Sequence, residues 1–130
     1  SQGMAILGNV PKSEGAGKWT NADGSIKWPT NNGFKGTPKT QTLQPGTFID
    51  RYGYESGKFV SPKGTPFENR SLPANNINDP YTVYEVVKPI QVQGGKAASW
   101  FDQPGGGTQY MFNQSISELL EQGTIRRVGR

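Results

Sequence analysis

Three short blocks concentrate the side chains that could bind or transform a ligand: Gly46-Thr-Phe-Ile-Asp-Arg-Tyr-Gly53, Ser61-Pro-Lys-Gly-Thr-Pro-Phe-Glu-Asn-Arg70 and Trp100-Phe-Asp-Gln-Pro-Gly-Gly-Gly-Thr-Gln-Tyr110. Each joins tight-turn residues to aromatic rings and to a polar group able to hold an anion or an amide. Arg51 and Arg70 carry planar forks that match phosphate oxygens bidentately. Aromatic rings such as Phe59 can stack on flat ligand rings, and the Gln109 amide both donates and accepts. The combination describes a site for an anionic ligand with flat rings, and a dinucleotide has that make-up. The chain has no His and no Cys, which removes most nucleophile–base pairs of hydrolases, all disulfides and all Cys-ligated metals. Glu55, Glu68 and Glu85 stand apart, so no pair is assigned the geometry of a two-carboxylate hydrolase.

Each candidate has a plainer reading. Arg51 or Arg70 could be held in an ion pair, Arg51 with Asp50 or a distant carboxylate and Arg70 with Glu68 or Glu55; such pairs are common and weak when exposed. Phe59 could be core. Adjacent strand residues point to opposite faces, so Arg51 and Tyr52 cannot enter one pocket from a regular strand without a bend at Gly53. Gly105-Gly-Gly107 allows close backbone approach and positive φ, or simply a hairpin turn; it lacks the strand–turn–helix setting of the dinucleotide fingerprint. Gln109 is a poor general base and is suited to positioning a ribose hydroxyl or a carboxamide. Trp100 and Phe101 are pocket wall or core, and Asp102 and Gln103 turn residues.

The elements that must position these residues are mostly strands. Thr47–Tyr52 reads as a strand entered through the Pro45-Gly46 turn, and Lys58–Val60 as a second, stopped by Ser61-Pro62. Residues 63–66 form a turn and 73–80 a polar loop. Tyr81–Ile90 is rich in β-branched and aromatic residues and apolar on both faces, as a central strand would be. Thr108–Phe112 is another strand. Ser115-Ile-Ser-Glu118 matches a capping box, followed by an apolar helical face of Ile116, Leu119 and Leu120. Gly123 closes that helix, and Thr124–Val128 returns as a last strand. Residues 1–27 read as a linker or loosely packed arm and 28–130 as the functional domain, with Trp28-Pro-Thr-Asn-Asn-Gly-Phe34 an extended segment ending in a turn.

Composition agrees with a single loop-rich, β-leaning domain: 130 residues, 32% hydrophobic, 18 Gly and 10 Pro. The 3 Trp, 5 Tyr and 6 Phe, with apolar runs such as Val83–Val87, argue against disorder from residue 28 onward. A diffuse net charge of +4 favours anionic ligands and acidic proteins, and no nucleic-acid-binding motif is visible. No stretch approaches the ~20 apolar residues of a membrane span, and no signal peptide is visible.

The blocks Ile49–Gly53, Phe59–Phe67, Tyr84-Glu-Val-Val-Lys-Pro89 and Trp100–Tyr110, with Trp28–Phe34 upstream, resemble in order the pattern of the tuberculosis necrotizing toxin family of NAD glycohydrolases. The resemblance covers roughly residues 28–128, and the Gln103-Pro-Gly-Gly-Gly-Thr-Gln-Tyr110 block is its most specific part. It implies an α+β, mainly β fold: a compact antiparallel domain with few short helices, reminiscent of ADP-ribosyltransferase-like toxins. It implies hydrolysis of the nicotinamide–ribose bond of NAD, and of NADP in many members, with no cofactor and no metal. By position it implies Arg51, Gln109 and Phe59 as catalytic residues. Arg70, Tyr52, Phe67, Trp100 and Gln103 are then substrate-binding. Phe59 replaces a Tyr found in some members. It further implies a toxin domain secreted or delivered into a target cell, within a larger bacterial effector. Such a domain acts in the target cytoplasm and needs a cognate immunity protein that blocks the site.

Two rival functions share these residues. An ADP-ribosyltransferase would use the same pocket but usually places a Glu near the acceptor, where Gln109 stands. A nucleotide-binding module without catalysis would need only the aromatics and arginines.

Overall fold

The structure is a computed structural model that describes residues 17–129. The first sixteen residues of the arm expected over 1–27 lie outside the described residues. The chain divides into two compact units at Thr30/Asn31.

In the first unit, residues 17–30 carry short antiparallel bridges between Gly17 and Thr20 and between Thr20 and Ile26. Asp23 turns the chain by accepting from the Ser25 amide at 2.9 Å and the Ser25 hydroxyl at 2.6 Å, the local bonding that makes Asp a turn former.

The second unit holds a seven-stranded sheet. Its strands are β1 (Lys39–Leu43), β2 (Phe48–Tyr52), β3 (Phe59–Pro62), β4 (Tyr81–Val86), β5 (Ile90–Lys96), β6 (Thr108–Met111) and β7 (Ile125–Gly129), in the order β1-β5-β6-β3-β2-β4-β7. Every pairing is antiparallel. One six-residue helix, α1 (Ile116–Glu121), precedes β7. This is the mainly β architecture with few short helices that the sequence leads one to expect.

Several boundaries differ. The strand expected over Tyr81–Ile90 is two strands, because Pro89 supplies no N–H to a ladder and Val87 and Lys88 instead donate to the Thr124 carbonyl. β4 is nonetheless interior, flanked by β2 and β7. β3 runs through Ser61-Pro62 rather than stopping before it. Ser61 pairs with Asp50, and Pro62 sits at the terminal position, where a missing donor is tolerated. The loop 73–80 contains a 3₁₀ turn, Ala74–Asn78. Two strands give little signal in the sequence: β1, exposed at all but its last residue, and β5, which ends in Gly94-Gly95-Lys96.

One sheet face and α1 enclose the core of Leu43, Ile49, Val60, Tyr84, Val86, Val92, Phe112, Ile116, Leu119 and Ile125. The capping box is complete: the Ser115 hydroxyl accepts from the Glu118 amide, and the Glu118 carboxylate accepts from the Ser115 amide. Gly123, at φ 72°, ends the helix as a left-handed residue, the conformation glycine reaches without strain.

Candidate functional site

The alternation of the strands sorts the candidate residues onto two faces. Ile49, Val60 and Tyr84 belong to the core, so Arg51, two residues from Ile49, lies on the core face. Asp50, Tyr52, Phe59 and Gln109, each one residue out of phase with a core-facing residue, lie on the opposite face. Phe59 pairs with Met111 across β3 and β6, which makes Phe59 and Gln109 diagonal neighbours about 7–8 Å apart.

The buried centre of this second face is Asp50, wholly inaccessible to solvent. Its Oδ1 takes Arg70 Nη1 at 2.6 Å as an ion pair, without an aligned hydrogen-bond donor. Its Oδ2 accepts from the Gly64 amide at 2.8 Å and the Tyr81 hydroxyl at 2.7 Å. Arg70 also donates from Nε and Nη2 to the Thr65 carbonyl, at 2.9 and 2.6 Å. Its guanidinium lies over the Tyr52 ring at 4.8 Å. Tyr52 meets Phe67 edge-on at 5.1 Å and Tyr81 at 4.8 Å, spacings typical of favourable aromatic pairs. Burial, then the bond and charge of Asp50, push the Tyr81 hydroxyl up to about 12. Tyr52 thus touches both Arg70 and Phe67. The ion-pair reading of Arg70 holds, but with Asp50 in place of Glu68 or Glu55.

The glycine block is stitched to the turn that ends in Arg70. Gly105 N donates to Glu68 O at 3.2 Å, Gly107 N to Asn69 O at 3.0 Å, and Asn69 Nδ2 to Gly105 O at 2.9 Å. A Cβ on Gly107 would stand 2.8 Å from Asn69 O, and one on Gly105 2.5 Å from Ala98 O. Gly105 and Gly107 are there for close approach, and Gly105 and Gly106, at φ of 68° and 87°, for a left-handed backbone, as one of the two sequence readings had it. The block leads into β6 and delivers Gln109, which is buried and donates from Nε2 to the Asn32 carbonyl at 3.0 Å.

Trp100 and Gln103 flank a tight turn and bridge each other across it. Its central residues Phe101 and Asp102 have φ of 53° and 59°. Two successive non-glycine residues with positive φ are uncommon and strained. Phe101 is buried while Trp100 remains partly exposed.

Arg51 stands apart. β2 and β3 pair only at Ile49–Pro62 and Asp50–Ser61 and then diverge. The Arg51 guanidinium occupies the fork, donating from Nε to Tyr54 O at 2.9 Å and from Nη1 to Phe59 O at 2.8 Å. It packs against Gly57 and Gly53, and even at Gly53 a Cβ would stand 2.9 Å from Nη2. Burial lowers its pKa, opposed by Tyr84 and Asp79. Gly53, at φ 147°, bends the chain after Tyr52, yet Arg51 and Tyr52 keep to opposite faces. Neither Asp50 nor another carboxylate pairs with Arg51 among the described residues. Glu55 is engaged by the Tyr84 hydroxyl at 2.9 Å and, bidentately, by Arg127 at 2.8 and 2.6 Å.

The family model described as tuberculosis necrotizing toxin matches residues 42–128. The chain belongs to the tuberculosis necrotizing toxin family. It is 36% identical over 140 residues to the conidial surface nicotinamide adenine dinucleotide glycohydrolase nadA of Aspergillus fumigatus. That alignment covers 95% of this chain and 60% of nadA, so the chain spans about three-fifths of its curated relative. Tuberculosis necrotizing toxin itself, solved in complex with its immunity factor IFT, superposes with a TM-score of 0.64 at 25% identity, covering 78% of this chain and 61% of that one. Rhs1-CT, solved with its cognate immunity protein RhsI1, has a TM-score of 0.58 at 18% identity over 79% of this chain and 85% of that one, a likeness of fold.

Within this tuberculosis necrotizing toxin fold, sequence reasoning missed Asp50, Tyr81 and Asn32. Asp50 had a signal: Asp is depleted from strands, so one flanked by Ile49 and Arg51 inside a strand asks for a buried partner. Asn32 contributes a backbone carbonyl, which no side-chain pattern announces. Among the described residues no cluster of carboxylates could hold a metal ion, and no helix is long and apolar enough to cross a membrane.

Proposed function

We infer that this domain hydrolyses the bond between nicotinamide and ribose in NAD, releasing nicotinamide and ADP-ribose. The observation that carries the reading is the gathering of Gln109, Phe59 and the Tyr52–Arg70–Phe67 cluster on one sheet face, around the glycine block, in a chain of this family. The name of the fungal relative supports the choice of NAD.

Nicotinamide in NAD is a cationic leaving group. The C1′–N bond breaks with its electron pair moving to the ring, which leaves neutral without an acid catalyst. Water oxygen bonds to C1′ and its proton passes to solvent. The barrier lies in the oxocarbenium-like ribosyl centre, and the task of the protein is to hold a strained substrate near that geometry. Phe59 and Tyr52 supply flat apolar surface, and Gln109 holds the ribose. Arg51 acts through Phe59, whose carbonyl it grips, and adds a cation that no carboxylate of the described residues contacts. Arg70 shapes Tyr52 and Phe67, its own charge being opposed by Asp50. Trp100 and Gln103 close the site from their strained turn. NADP is a second substrate, and no cofactor takes part.

The domain acts inside a target cell, delivered as part of a larger effector. Its partner is an immunity protein that covers this site with an acidic surface complementary to the net charge of +4. Two solved structures of similar fold, each a complex with an immunity protein, support such a partner. A neutral or basic partner surface over the site would sink the electrostatic part.

The test is purified protein with NAD labelled in the adenosine half, beside Arg51→Ala and Gln109→Ala. Free ADP-ribose and nicotinamide, abolished in both variants, is the expected result. Label retained on protein would make the domain an ADP-ribosyltransferase, and intact NAD would leave a binding module. Hydrolysis surviving both substitutions would keep the activity and discard the site.

A further inference from the structure

Gln109 donates its amide nitrogen to a partner that can only accept. The Asn32 carbonyl at 3.0 Å has no hydrogen to offer, so Nε2 must face it, and Oε1 is directed away. That carbonyl belongs to an unusual segment. Asn31, Asn32 and Gly33 are three successive left-handed residues, with φ of 55°, 53° and 80°. Asn and Gly are the residues that reach this region at least cost.

The segment is braced from several sides. Asn31 Nδ2 donates to Phe34 O at 3.0 Å and to Gly36 O at 2.8 Å, and Phe34 N donates to Asn31 O at 3.0 Å. Gly33 O accepts from Ala98 N at 2.8 Å, and Lys35 N donates to Lys96 O at 2.9 Å. The other non-glycine residues with positive φ among the described residues, Ser71, Phe101 and Asp102, adjoin the same corner. Ser71, at φ 55°, donates its hydroxyl to Ala98 O, and Phe101 and Asp102 follow three and four residues after Ala98. Strain persists only where surrounding structure over-determines it, and here the over-determined object is the direction of the Asn32 carbonyl.

We propose that the left-handed turn 31–33 is a positioning device for Gln109. The Asn32 carbonyl locks the amide with its oxygen toward the substrate, so position 109 acts there as a hydrogen-bond acceptor for a ribose hydroxyl. This rests on the hydrolase reading above for the identity of the substrate, but the orientation of the amide stands independently of it. The same geometry disfavours an ionised carboxylate at position 109. An ionised Glu would set oxygen against the Asn32 carbonyl, whereas a protonated Glu could donate to it and keep an oxygen toward the ribose.

Two measurements test the proposal. The first is kinetic. Asn32→Val, a β-branched residue that disfavours positive φ, lowers kcat on the order of 100-fold, the scale of a 1 Å misplacement, with a smaller change in KM. Asn32→Gly, which keeps both the carbonyl and the left-handed φ, restores turnover. Gln109→Glu gains activity as pH falls from 8 to 5, because only its protonated form fits. Equal loss in both Asn32 variants, or a Gln109→Glu profile parallel to wild type, overturns the proposal. The second measurement needs no activity. The side-chain amide of Gln109, assigned by its absence in Gln109→Glu, shows slow hydrogen exchange in wild type and Asn32→Gly and fast exchange in Asn32→Val. Fast exchange in the wild type overturns the proposal. Slow exchange in a protein that leaves NAD intact retains the locked amide and discards only the hydrolase reading.

Discussion

Arg51 and Arg70 are nineteen positions apart and both reach into the interior, yet the two sheet faces use them in opposite ways. Arg70 lies 2.6 Å from a fully buried carboxylate that also takes a tyrosine hydroxyl and a backbone amide. Its charge is cancelled where it is desolvated. Arg51 is bound by two backbone carbonyls and no carboxylate among the described residues. Burying a cation with no carboxylate in contact is costly, and burial lowers its pKa, with Tyr84 and Asp79 opposing the shift without reversing it. One arginine is a tie inside a polar core; the other is a wedge that splits two strands and keeps a positive charge available. Two arginines in a motif are therefore not two copies of one function.

Breaking the tie gives the largest effect. Asp50→Ala strands the Arg70 charge and destabilises the domain by ~3–5 kcal/mol, read from the midpoint of a denaturant melt. The pair Asp50→Leu with Arg70→Met is less harmful than Asp50→Ala alone, since it leaves no orphan charge. A double variant as unstable as the single would show that the pair's packing matters more than its charge.

The wedge is probed at Gly57. No positive φ requires glycine there, and the obstacle to a Cβ is the Arg51 guanidinium. Gly57→Ala costs about 1–3 kcal/mol as an overpacking change and lowers turnover along with Arg51→Ala. In an Arg51→Ala background the same substitution is neutral or stabilising, because the clash has gone. An equal cost in both backgrounds would remove Arg51 from the explanation.

A smaller effect comes from the helix that anchors the loop between the wedge and β3. Ile116 N and Ser117 N donate to Gly57 O and Glu55 O at 2.9 and 2.8 Å. Ser115→Ala removes the cap and costs ~1 kcal/mol, and it loosens residues 53–58 in hydrogen exchange without altering exchange around Asp50.

The smallest effect is in alkali and touches both faces at once. Tyr81 beside Asp50 and Tyr84 beside Glu55 are each raised from 10.0 to about 12, chiefly by burial. A raised folded pKa means that the native state holds the proton more tightly. This stability is complete below pH 10 and is lost between pH 10 and 12. Tyr84→Phe reduces the loss; an unchanged alkaline limb would assign it to other groups.

Local rules made some of this legible. Ser115 and Glu118 at a spacing of three predict a capped helix start, and both reciprocal bonds are present. β-branched and aromatic residues located β2, β4 and β6, and the glycines at 105–107 signalled close approach. Alternation along a strand already separated Arg51 from Tyr52. β1 was hidden because an edge strand exposed on both faces carries no burial pattern, and β5 because its glycines read as loop.

Residue order carries the β-leaning class, the helix cap, the split between faces and, through the motifs of its three blocks, the family. Tertiary structure alone decided which arginine is neutralised, by bringing Asp50 to Arg70 across twenty positions, and which way Gln109 points, by bringing the Asn32 carbonyl to it across seventy-seven. Helix caps and strand faces are set by neighbours a few bonds away. Charge compensation and amide orientation depend on which partners the sheet topology places within 3 Å, and no local pattern encodes that.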